Sequence, residues 1–168
     1  MTYDSMHNLW SNGTVGWEMF AFVQACKRKA GVTFADFRAY TRRWQFQRKV
    51  KNNMFTAAHE TACKNSFKAG ASELISIFHV VLAFAEERVV GTASLDREVA
   101  PLRACGLLVD AFMKVKRGMA TLRNDVIAAA EVHLNLHTQA SGTPIVKPKH
   151  HYVVNNAEQD FPFPFAFP

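Results

Sequence analysis

The chain has 168 residues, nearly half of them hydrophobic and a fifth charged, which excludes a disordered polymer and fits a single domain with a sizeable core. Its formal net charge of +6 admits a nucleic acid or another acidic partner without establishing one. Cys26, Cys63 and Cys105 are odd in number and far apart, with no C-x-x-C, which argues against a zinc ribbon or a disulfide framework and for reduced, mostly buried thiols. No basic segment followed by an apolar one opens the chain, so the expectation is an intracellular protein without a secretory signal.

Residues 1–13 are short and polar. From Val15 the apolar positions Val15, Met19, Phe22, Val23 and Cys26 recur at helical spacing, with Lys27, Arg28 and Lys29 in the last turn and Gly31 as the stop. Thr33 with Asp36 three residues on reads as a capping box for a second helix, whose Phe34, Phe37, Tyr40 and Trp44 form an aromatic face. Residues 51–68 read as moderately helical, with Phe55, Ala58, Ala62 and Phe67 toward the core. The densest apolar run lies in residues 69–90, with Leu74, Ile75, Ile77, Phe78, Val80, Val81, Leu82 and Phe84. Ser72 is the expected N-cap there and Gly91 the stop. Glu73, His79, Glu86 and Glu87 cut its uncharged length below a membrane span of ~18 residues, so a core helix wrapped by others is expected.

After a linker at residues 91–93, Ser94 or Asp96 opens a helix through Leu102, Cys105, Val109, Phe112 and Met113, with Pro101 acceptable only in its first turn. Gly118 ends it behind Lys114, Lys116 and Arg117. A last helix over residues 119–138 places Leu122, Val126, Ala129 and His133 on one face. The predicted class is all-α, an irregular array of about five or six helices. The predicted organisation is a helical domain over residues 1–140 and an extended tail over residues 141–168. Gly142, Pro144 and Pro148 break helices, Tyr152 to Val154 suit one short strand, and the alternating Phe-Pro end suits neither a helix nor a central strand.

Two groups of residues carry candidate chemistry. Arg38, Arg42, Arg43, Arg48, Lys49 and Lys51 are interleaved with Tyr40, Trp44 and Phe46. Cations with interleaved aromatics suit a phosphate backbone and a stacked base, whereas the plainer arrangement is a solvated helix end with its aromatics packed inward. His133 and His137 stand at i, i+4, with Glu131, His150 and His151 near in sequence, a spacing that suits a zinc site and equally suits histidines at a core edge or cap. H-E-x-x-H is absent because Leu134 follows His133, and no P-loop, G-x-S-x-G or dinucleotide glycine pattern occurs. The remaining carboxylates, Glu18 among them, fall mostly on expected solvent faces.

The order of motifs is distinctive. Tyr3-Asp4-Ser5-Met6-His7 opens the chain, Trp44-Gln45-Phe46 closes the basic segment, and Lys68-Ala69-Gly70-Ala71-Ser72-Glu73-Leu74 enters the central run. Glu131-x-His133 follows, then Lys147-Pro148-Lys149-His150-His151-Tyr152. Over residues 3 to about 159 this order resembles transposon-derived proteins related to cut-and-paste DNA transposases with an RNase H-like core. The resemblance implies that Asp4 and His7 match the family's D-x-x-H motif. It implies that Lys147, Pro148, Lys149, His150 and His151 match its lysine–histidine block, and that the helices match its all-α insertion, which contacts transposon DNA. Family chemistry is two-metal phosphoryl transfer on Mg²⁺ or Mn²⁺ held by three carboxylates. At most one of those three falls within this sequence. The expectation is therefore a catalytically inactive, transposase-derived domain with residual DNA binding, without a cofactor of its own, nuclear if it binds DNA and without a membrane partner. The competing expectation is a helical interaction or scaffold module that captures another protein through the Phe-Pro tail at residues 161–168.

Overall fold

The computed structural model describes residues 9, 10, 13–46, 50, 54–117, 119 and 123–141. They form six α-helices: α1 Thr14–Ala30, α2 Phe34–Thr41, α3 Ala57–Ala62, α4 Ala71–Phe84, α5 Asp96–Lys116 and α6 Arg123–Ser141. The all-α expectation holds, with no strand among the described residues. The expected tail and its short strand lie outside them.

Helix α1 begins after Gly13 and ends at Gly31, whose φ of 67° is the left-handed conformation a C-terminal glycine supplies without strain. Two of the three cations of its last turn do more than face the helix dipole. Lys27 pairs with Glu60 at 2.5 Å, and Lys29 bridges Glu98 at 2.7 Å and the Ser94 carbonyl at 3.1 Å. Helix α2 starts with the expected box: Asp36 N–H donates to Thr33 Oγ1 at 3.3 Å, and Thr33 N–H donates to Asp36 Oδ2 at 2.7 Å.

Residues 51–68 depart from expectation. Among the described residues 54–68 only Ala57–Ala62 is helical, capped by Thr56, whose side chain accepts from His59 N–H. Ala58 and Ala62 are exposed, while His59 and Cys63 face inward. Phe55 and Phe67 are buried but sit in the flanking loops. Phe55 has φ 56°, a left-handed conformation that costs an aromatic residue on the order of 1–3 kcal/mol. Its ring is held 5.6 Å from Phe37 and 5.0 Å from Phe67, and its N–H donates to His59 Nδ1 at 3.4 Å. Tertiary packing overrides local propensity at this point.

Helix α4 is the central element, packed against α1, α2 and α5. Leu74, Ile77, Phe78, Val80, Val81 and Phe84 are all buried. Its N-cap is Gly70 rather than Ser72, because Glu73 Oε2 accepts the Gly70 N–H at 2.9 Å. A π-helical turn, Ala85–Val89, continues it, closed by Val90 N–H to the Ala85 carbonyl at 2.9 Å. The extra residue keeps Val89 buried and leaves Glu86 outside, where it forms a bidentate pair with Arg103 of α5 at 2.5 and 2.6 Å.

Helix α5 starts at Asp96, so Pro101 lies inside it rather than in its first turn; its missing N–H leaves the Arg97 carbonyl without that helical bond. Helices α5 and α6 pack along one another as a hairpin, and Arg97 near the start of α5 donates to the Gln139 carbonyl near the end of α6. Helix α6 is described over Arg123–Ser141, with Val126, Ala130, His133 and His137 buried.

Gly16 shows how closely the pieces meet. Phe67 N–H donates to its carbonyl at 2.8 Å, and a Cβ on Gly16 would lie 3.3 Å from the Phe67 carbonyl oxygen and 3.6 Å from Leu74. The Gly16→Val substitution is expected to destabilise the fold by about 1–3 kcal/mol, because backbone rather than a flexible side chain must give way. Urea unfolding followed by circular dichroism measures it, and an unchanged midpoint would show that the 63–69 loop does not dock on α1.

Candidate functional sites: a cationic groove and a buried Glu-His-His cluster

The C-terminal end of α2 opens onto a groove of about 490 Å³ lined by Arg38, Thr41, Arg42, Trp44 and Phe46, with Met54, Phe55 and Ile77 among the apolar residues of its wall. Arg42 and Arg43 are exposed, and Trp44 is 43% exposed, the largest ring of the segment left facing solvent. The Arg43 guanidinium lies 5.2 Å from the Tyr40 ring centroid, a cation–π contact that fixes its direction. Tyr40 itself packs edge-on against Phe84 at 5.1 Å and belongs to the core. The structure thus divides the aromatic set: Tyr40 inward, Phe46 half-buried, Trp44 outward. Arg48, Lys49 and Lys51, together with Asp4, His7 and the block Lys147, Pro148, Lys149, His150 and His151, lie outside the described residues.

The second site is deep in the domain. Glu18 of α1 is 2% exposed, and His133 and His137 of α6 are buried beside it. Its Oε2 lies 3.0 Å from His133 Nε2 and 2.6 Å from His137 Nδ1. The Trp17 ring covers His137 at a centroid distance of 4.3 Å. Burial by itself raises the Glu18 pKa, but hydrogen bonds from both imidazoles and their positive charge outweigh it and hold the carboxyl down at about 2. The three donor atoms lie within 4.8 Å of one another. Glu18 and His137 also form part of the wall of a cavity of about 720 Å³, shared with Gln24, Arg28, Asn65 and Glu98.

The i, i+4 histidines are thus brought together as their spacing suggests, but their partner is not the one nearest in sequence. Glu131 is exposed, whereas Glu18 lies 115 residues upstream of His133. A signal for Glu18 exists: it sits three residues after Val15 and four before Phe22, inside the buried stripe of α1 rather than on a solvent face.

A third grouping places Cys63 Sγ 3.8 Å from His59 Nε2, as a nucleophile–base pair would, but both groups are engaged with backbone. His59 Nε2 bonds the Lys68 carbonyl at 2.7 Å, and its Nδ1 accepts from Phe55, so the ring is occupied on both sides. The Cys63 thiol is pushed up by burial and accepts the Lys68 N–H at 3.3 Å. Both residues pin the loop that enters α4. Burial likewise pushes Cys26 up to about 12 and Cys105 well above the usual thiol range, so all three free thiols stay protonated.

The Glu18 carboxyl falls from an ordinary 4.5 to about 2 on folding, which contributes on the order of 3 kcal/mol of stability above about pH 4.5. Because the folded value is depressed, that contribution is lost as pH falls from about 4.5 through about 2. The Glu18→Gln substitution should cost about 3 kcal/mol near neutral pH in metal-free buffer, and the difference from the parent should shrink steadily toward about pH 3. Urea titrations across that range check it; a gap independent of pH would mean that the carboxylate charge does not hold the hairpin to α1.

Against this geometry, neither a protein-family model, nor a curated protein, nor a solved structure matches the chain.

Proposed function

We propose that the chain is a transposase-derived helical domain, catalytically inactive by itself, that binds nucleic-acid backbone at the cationic groove beside α2. The observation that carries this reading is the convergence of Arg38, Arg42 and the half-exposed Trp44 on one groove. Guanidinium groups attract phosphate, and an indole beside them offers a stacking surface for a base in a single strand. The net charge of +6 adds long-range attraction to any polyanion. The transposase origin rests on the motif order, with Asp4 and His7 as the one piece of the family's catalytic machinery in the sequence.

Binding of this kind is salt-dependent and largely indifferent to sequence, because phosphate contacts release counterions and carry no base information. Fluorescence anisotropy with labelled duplex and single-stranded DNA at two salt concentrations tests it. Affinity should fall steeply with salt, and the Arg42→Glu, Arg43→Glu double substitution should lower the log–log salt slope by about 2. Replacing Trp44 by Ala should weaken single-strand binding by about 1–3 kcal/mol and leave duplex binding nearly unchanged. No binding at low salt, or binding unaltered by salt, would remove this reading.

A further inference from the structure

We infer that Glu18, His133 and His137 form a binding site for one divalent transition-metal ion of the zinc, cobalt or iron class. The site is independent of the nucleic-acid groove and of the carboxylate-held Mg²⁺ or Mn²⁺ ions of a transposase core. Its donor set is one carboxylate oxygen and two imidazole nitrogens, the borderline ligands such ions prefer and the hard alkaline-earth ions do not.

The geometry comes close to what an ion needs. Metal–ligand bonds of about 2.0–2.2 Å in a tetrahedral site place neighbouring donors about 3.3 Å apart. Glu18 Oε2 already lies 3.0 and 2.6 Å from the two nitrogens, and all three atoms fall within 4.8 Å of one another. To reach that spacing the two oxygen–nitrogen distances open by about 0.3–0.7 Å and the nitrogen–nitrogen distance closes by up to about 1.5 Å, which side-chain rotation on two fixed helices supplies. The ligands are carried by two regular helices, α1 and α6, rather than by loops, so their directions are held by the core. Two histidines one helical turn apart on α6 supply an edge of the polyhedron without backbone distortion.

Charge points the same way. A carboxylate buried in a low-dielectric interior needs a cation beside it. A proton on an imidazole can supply that cation; a divalent ion supplies it in surplus and replaces the hydrogens that bridge the nitrogens to Oε2. The cavity gives the ion a route and an open side. Glu18 and His137 line it, and so does Glu98, whose Oε2 is buried with no hydrogen-bond partner among the described residues. A water or a small oxygen ligand from the cavity would complete the coordination, which is the arrangement of a three-ligand metal centre rather than a closed four-ligand structural one.

The test uses the full chain, stripped with a chelator and titrated with Zn²⁺ and Co²⁺ by calorimetry, visible absorption and Trp fluorescence. One equivalent per chain is expected, with the d–d bands of cobalt in a low-symmetry nitrogen–oxygen site and quenching of Trp17, whose ring covers His137. Zn²⁺ at about 100-fold above its Kd should raise the unfolding midpoint by about 5–10 °C. The His137→Ala substitution should weaken binding by at least about 100-fold, since a direct ligand matters no less than its supporting shell. The His150→Ala, His151→Ala double substitution should leave it intact, because the three donors on α1 and α6 suffice to hold the ion. If His137→Ala fails to fold, the stoichiometry, the cobalt spectrum and the His150/His151 control decide alone. No uptake by the parent chain, uptake unchanged in a folded His137→Ala protein, or loss of uptake in the His150/His151 variant would each overturn the proposal.

Discussion

A carboxylate at the centre of a helical domain is the constraint from which much of this architecture follows. Glu18 cannot sit among Val15, Met19 and Phe22 as an isolated charge, because the desolvation cost would exceed what neighbouring apolar contacts return. It is kept there by His133 and His137 of α6. The consequence is a fixed register between the first and last helices. A displacement of α6 by one residue would turn both imidazoles away from Oε2 and leave the charge uncompensated. The hairpin of α5 and α6 has a broad apolar contact of its own, but apolar packing tolerates sliding, and the three-atom cluster does not.

The opposite half of the core is held by rings. Phe34, Phe37, Phe55, Phe67 and Phe84 form a connected aromatic layer, with Phe37 and Phe84 only 4.3 Å apart. Two of the five come from loops, and one of these, Phe55, accepts a left-handed backbone to insert its ring. Non-directional burial outweighs local strain there. The same loop is fastened by His59, which uses both ring nitrogens on backbone groups. Burying rings from α2, α3's flanks and α4 together leaves the cationic end of α2 at the rim, where Arg42, Arg43 and Trp44 face solvent.

The groove and the buried cluster share no lining residue and draw on opposite physics. At the groove, exposed guanidinium groups act through a screened field, so what they hold must itself be highly charged. At the cluster, one carboxylate and two imidazoles act at contact distance with water largely excluded, where a single cation is strongly favoured. A nucleic-acid contact and a metal centre are therefore compatible within one small domain, each at its own end of the electrostatic scale.

Local chemistry determined a good deal of this protein without the tertiary structure. The 3.6-residue apolar spacing located α1, α4 and α6; the Thr33–Asp36 box and Gly31 set the turn between α1 and α2; and the dense run at residues 69–90 marked the central helix. Each of these rests on interactions spanning four residues or fewer, which a linear pattern contains. Other features were decided only by the fold. The 54–68 segment is mostly loop because its rings gain more from the aromatic layer than its backbone gains from helix. Pro101 lies inside α5 because the helix starts at Asp96 and the packed hairpin outweighs one lost hydrogen bond. The pairing of Glu18 with His133 and His137 spans more than a hundred residues and depends on how α1 and the α5–α6 hairpin pack, so the i, i+4 histidines and the place of Glu18 in the apolar stripe were legible in the sequence while their pairing was not.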